Sequence, residues 1–235
     1  MKTGRLPGQS PNIHLNAEGQ AQAAALGHFL RTRKLSAIYS SHLERAIETA
    51  WRIAAHQGLS ITVRPDLADT HTGEFTGKLV KELAESPDTK DIWKIIVEQP
   101  SQGVLPGGES LLDMQCRVVA ALDRICAEHP DPQPEEKDRI TEGSHEPAPH
   151  PGEGKPADPP PPPLPPQIIA VVMHADPIKA ALAHYLGIPF DNFQRLVVSP
   201  ASVSAAIIAL DAQSPMRVSI LNVNQTVPIA DAPTR

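Results

Sequence analysis

The chain has 235 residues, 40% of them apolar, with 27 acidic against 21 basic side chains and a net charge of -6. That balance suits one soluble globular domain with a sizeable core, and the lack of a basic excess argues against nucleic acid or an anionic membrane as a partner. No run approaches the length of a membrane span, Met1-Lys2-Thr3-Gly4 leads into no apolar signal core, and Cys116 and Cys126 read as reduced thiols, so a cytoplasmic setting is expected.

In chain order, Asn16 caps a predicted helix running to about residue 34, with Ala21, Ala24, Ala25 and Phe29 on its apolar stripe. A short strand at 37–39 follows, then a helix over 43–57 that stops at Gly58. Residues 61–63 read as a strand, 65–77 as a polar loop, and 79–85 and 91–98 as helices. Pro106-Gly107-Gly108 punctuates before a long helix over 109–128.

Composition then breaks, with 14 prolines in the 37 positions 130–166, so this segment is expected to be disordered or extended. The run 159–166 would favour the polyproline II form that SH3 and WW domains read, or serve as a plain stiff spacer. After it come a strand over 168–173, a helix over 176–186 with Asp176 as its cap and Pro177 as its first residue, and strands near 196–198, 202–210 and 218–223. Alternating strand and helix predicts a three-layer α/β/α sandwich with a mostly parallel central sheet, one domain over 1–235 interrupted by the insert. An exposed edge strand near the carboxyl terminus would permit a homodimer.

The chemistry gathers at strand ends. His174 closes an apolar strand just before a helix, where open α/β sheets build their sites. Read alone, it is as well explained as a core histidine. Arg45 follows another strand and projects from a first helical turn on the same sheet edge, where free amides and a planar guanidinium together suit an anion. By itself it reads as a surface arginine pairing with Glu44 or Glu48. The loop 67–77 carries Asp69 and Glu74 with two glycines and could supply a general acid, or be an ordinary polar turn.

Together these segments resemble the histidine phosphatase superfamily, the phosphoglycerate mutase-like proteins. The resemblance is carried in family order by residues 4–8, 15–19 with Gln22, 40–50, 69–77, 106–110 and 174–176. Residues 193–195 and 200–204 look like a bacterial phosphomutase branch. It implies phosphoryl transfer from a phosphorylated small molecule through a phosphohistidine, with Arg45 and His174 holding the transferring oxygens and Asp69 as the acid. Arg5, Asn16, Glu74 and Ala175 would bind substrate, Glu74 being a substitute acid. No cofactor or metal is implied, and no metal-ligand spacing is visible.

The resemblance also calls for an Arg-His-Gly motif ending the first, central strand upstream of Gly4-Arg5, and the sequence contains none. His14 falls where the family has a loop residue and His28 lies in a helix, so neither substitutes. A start assigned too far downstream, or a fragment, is expected, and the chain as given should turn over poorly, since losing a nucleophile costs on the order of a million-fold. The alternative is a non-catalytic phosphate-ligand or partner-binding protein that uses the insert as an adaptor.

Overall fold

The short apolar runs assemble a parallel sheet in which β1 (Ala37–Ser40) lies between β2 (Ile61–Val63) and β3 (Ile169–Val172). The structure, a computed structural model, describes residues 4–130, 167–211 and 214–229. The helices are α1 (Ala17–Leu30), α2 (Glu44–Gln57), α3 (Val80–Glu85), α4 (Lys90–Glu98), α5 (Leu111–Glu128) and α6 (Ala175–Tyr185).

Alternation along the strands sends Ile38, Ile61, Ala170 and Val172 to one face, against Leu26 of α1 and Ala50 and Ile53 of α2. Ala37, Tyr39, Ile169 and Val171 go to the other face, against Ala121 and Ile125 of α5. A strand covered on both faces has no polar side to show, which is why β3 reads as a continuous apolar run. Behind α5, α6 packs in a core built on Phe75, Met114, Val118, Ala180 and Phe193. The three-layer α/β/α reading therefore holds.

The ends of the helices follow local chemistry. Asn16 caps α1 by accepting the Gly19 N–H at 2.8 Å, and Ser110 caps α5 by accepting that of Asp113 at 3.0 Å. Gly58 stops α2 in the left-handed conformation, φ 66°.

Several boundaries differ from expectation. The first helix ends at Leu30 because Gln57 of α2 donates to the Leu30 carbonyl at 2.9 Å, while the chain turns inward to bury Leu35. No strand forms at 196–198. A 3-10 segment, Phe190–Arg195, buries Phe193 stacked on Phe190 and leaves Val197 exposed. The last two strands, β4 (Val203–Asp211) and β5 (Ser214–Gln225), do not extend the parallel sheet but pair with each other as an antiparallel hairpin.

Asp176 is not the cap of α6. His174 is, and Pro177 falls later in the first turn, where its missing N–H costs no intrahelical bond. Residues 131–166, nearly all of the proline-rich segment expected to be disordered or extended, lie outside the described residues. Its flanks meet: the Gln167 side-chain amide donates to the Pro130 carbonyl at 2.7 Å. This junction is where α5 ends and β3 begins, the sheet edge away from His174. No helix among the described residues is long and apolar enough to cross a membrane, and Cys116 and Cys126 form no disulfide.

Candidate active site

Two strand-to-helix junctions, the loop after β2 and the segment around Gly8 meet beyond the carboxyl ends of β1 and β3. β1 runs into Ser40 and Ser41, both fully buried, and α2 opens so that Arg45 lies in its first turn. Two residues beyond β3, His174 is also buried, and its Nε2 lies 2.8 Å from the Ser41 hydroxyl. Ser41 Oγ accepts the Leu43 N–H at 3.3 Å, so its own proton is free for His174 Nε2. The other ring nitrogen, Nδ1, faces Asp69 Oδ2 at 3.7 Å, and the tautomer with hydrogen on Nδ1 fits both neighbours.

Arg45 Nη2 donates both to Asp69 Oδ2, at 2.9 Å, and to the Gly8 carbonyl, at 2.8 Å. Its other terminal nitrogen, Nη1, is buried and has no partner among the described residues. A buried guanidinium N–H without an acceptor is costly and needs a reason. The Thr70 hydroxyl next to Asp69 is orphaned in the same way. Gly8 is at φ 48°, and a Cβ there would sit 2.1 Å from Thr72 Oγ1, so only glycine brings this carbonyl so close to Arg45.

Charge is finely set. Burial pushes the Asp69 carboxyl up to about 6, outweighing the pull of Arg45, with Asp176 adding to the rise. Burial and then the charges of Arg45, His42 and Arg117 hold His174 down at about 3, so its 3.7 Å approach to Asp69 is a contact of a neutral imidazole and not an ion pair. A neutral imidazole that can donate, a cation with a spare donor and a carboxyl that can carry a proton near neutrality are the parts needed to hold an oxyanion and protonate a leaving group.

The raised carboxyl gives a stability test. Asp69 binds its proton more tightly folded than unfolded, so between about 6 and 3.8 the folded state gains as pH falls, and that gain is lost as pH rises through about 6. Asp69→Asn is therefore expected to lose ground to the parent by about 1.4 kcal/mol per pH unit across that window, read from urea unfolding at a series of pH values. Parallel pH profiles would contradict a buried, proton-binding Asp69.

Of the residues singled out from the sequence, Arg45, Asp69 and His174 come together. Others lie apart from that trio: Arg5 donates to the Gly77 carbonyl at 2.7 Å, Asn16 is occupied as the α1 cap, and Glu74 is exposed with its Cγ 3.5 Å from where a Gly107 Cβ would stand. Ala175 opens α6 beside His174, so any contribution from it is through its backbone amide. His14 pairs with Glu48, and His28 lies edge-on to His56. Sequence reasoning missed Ser41, the Gly8 carbonyl and Thr70. The only signal for Ser41 was a polar pair ending a strand.

A family model described as histidine phosphatase superfamily (branch 1) matches residues 1–133 and 164–220. The chain belongs to the histidine phosphatase superfamily. This histidine phosphatase superfamily member is 34% identical over 121 residues to phosphoglycerate mutase-like protein 4 of Arabidopsis thaliana, covering 50% of this chain and 52% of that one. It is 33% identical over 116 residues to phosphoserine phosphatase 1 of Hydrogenobacter thermophilus, covering 49% and 54%. The chain thus spans about half the length of these curated relatives. Among solved structures, the mycobacterial glucosyl-3-phosphoglycerate phosphatase Rv2419c superposes with a TM-score of 0.69 at 23% identity, over 95% of this chain and 93% of that one, a likeness of fold.

Proposed function

We propose that this site transfers the phosphoryl group of a phosphorylated small molecule, as a phosphatase or phosphomutase, with Arg45 and His174 holding the transferring oxygens and Asp69 protonating the leaving alcohol. The observation that carries the reading is the buried, unpartnered Nη1 of Arg45, on a guanidinium whose Nη2 meets Asp69 at 2.9 Å, while Asp69 in turn lies 3.7 Å from the His174 imidazole. A phosphoryl oxygen would satisfy that donor, and positive charge around the equatorial oxygens is what the transition state demands. Among the described residues no group of three or more His, Cys, Asp or Glu is placed to hold a metal ion.

Asp69 and Arg45 are paired, Nη2 to Oδ2 at 2.9 Å. An incoming dianion competes with Asp69 for Nη2, so protonation of Asp69 favours both binding and the acid role. The phosphohistidine step needs a nucleophile, which the resemblance assigns to an Arg-His-Gly motif that this sequence does not contain. A phosphate-ligand binder without turnover is the second reading, resting on the same unpartnered guanidinium nitrogen.

Turnover of p-nitrophenyl phosphate decides between them. Little is expected from the chain as given, and turnover should appear when the same chain carries an amino-terminal strand ending in Arg-His-Gly. Equal, negligible turnover in both, with inorganic phosphate still bound, would favour the binder.

A further inference from the structure

We propose that Arg117 and Glu109 are positioning residues for Asp69, clamping its loop from both sides through the backbone. The proposal rests on the phosphoryl-transfer reading above.

Arg117 projects from α5, and its side chain is only 24% exposed. Nη1 donates to the carbonyls of Asp66, at 2.9 Å, and Ala68, at 3.1 Å, and Nη2 reaches that of Asp69 at 3.4 Å. The same guanidinium holds the Glu109 carboxylate, Nη2 to Oε1 at 2.7 Å and Nε to Oε2 at 3.2 Å. Glu109 then reaches past Asp69: its Oε1 accepts the His71 N–H at 2.8 Å, and its own N–H donates to the His71 carbonyl at 3.0 Å. The chain before Asp69 is held by the arginine and the chain after it by the glutamate. None of these bonds touches the Asp69 carboxylate.

Such a brace has a physical purpose. A desolvated carboxylate gains by swinging into water, and a fixed backbone adds to the direct bonds from Arg45 and the Thr70 N–H in keeping it beside His174. A planar fork spanning several acceptors suits the task, which a single ammonium cannot reproduce. The charged and titratable groups facing Asp69 and His174 are Arg45 from α2, Asp176 from α6, Arg117 from α5 and His42 ahead of α2.

The test is calorimetric titration with sulfate, whose charge stays constant while the protein titrates, across pH in the full chain. In the parent, affinity should rise as pH falls through about 6, when Asp69 takes a proton and stops competing for Arg45. With the brace removed in Arg117→Met, Asp69 relaxes toward solvent and this midpoint should fall by about one pH unit or more. Glu109→Gln should move it the same way by less, and Arg117→Lys should restore only part of the shift. If Arg117→Met does not fold, the Glu109→Gln and Arg117→Lys variants carry the comparison.

A parental midpoint retained in the folded variants, with sulfate binding still lost in Arg45→Ala, would overturn the positioning role alone. Sulfate binding that survives Arg45→Ala would overturn the phosphoryl-transfer reading, and this proposal with it.

Discussion

Arg45→Ala is expected to weaken binding of inorganic phosphate at least a hundredfold and to make the protein less stable at alkaline pH than at acid pH. The substitution removes both the orphaned Nη1 and the Nη2 that serves Asp69 and Gly8. Charge-assisted hydrogen bonds are worth about 1.5 to 3 kcal/mol each, so losing two corresponds to roughly a hundredfold or more in affinity. Stability follows from the carboxylate left behind. Arg45 is what pulls the Asp69 carboxyl down against burial, so without it the folded-state value climbs further above about 6. A group whose folded value is raised contributes most below its unfolded value and loses that contribution as pH rises through the folded one. Melting curves at acid and alkaline pH, beside phosphate titrations, check both parts. Unchanged phosphate affinity would remove the ground for an oxyanion site here.

The second large effect lies in the backbone that carries the acid loop. Gly73→Ala should lower stability by about 3 kcal/mol or more, since it adds left-handed strain to overpacking. Gly73 is at φ 52°, and a Cβ there would stand 2.1 Å from the Pro106 carbonyl oxygen and 2.4 Å from the Gly108 nitrogen. Those are main-chain atoms that no rotamer change can clear, and the neighbouring Glu74 N–H donates to that same Pro106 carbonyl at 2.8 Å. Gly77 is the control. It has φ 78° with nothing within 4 Å of its added Cβ, so Gly77→Ala should cost only the backbone strain, about 1 kcal/mol. Urea midpoints for the pair test this, and equal losses would mean that the 106–108 turn yields.

These two glycines also illustrate what was legible beforehand. Local signals carried well: the Asn16 cap, the Gly58 stop and the strand at 61–63 depend on neighbours in sequence. Arg45 and His174 could be found because each directly follows a strand end, and position along a parallel strand translates into position on one sheet edge. What failed was tertiary. The run 196–198 is apolar enough for a strand, but burial of Phe193 in the preceding segment decides its course. The hairpin strands carry strand-like residues, and nothing in their pattern says that they pair only with each other.

The site divides in the same way. Asp69 was locatable from its loop, but its environment comes from a guanidinium 24 positions earlier and an imidazole far downstream. Arg117 looks in the sequence like any charged residue of an amphipathic helix, and its role is visible only when the loop at 66–71 is laid against it. Ser41 orients His174 from 133 positions away, a separation that no local pattern can register.

The hydrogen bond from Gln167 to Pro130 closes the domain without reference to what the intervening chain contains. Once two ends are held together, doubling the length between them costs only about 0.6 kcal/mol, so the fold exerts almost no selection on length at that point. The junction is a natural graft point, where an affinity tag or a whole second module could be housed, or the interruption cut to a short turn, while the Arg45, Asp69 and His174 cluster at the other rim of the sheet keeps its shape.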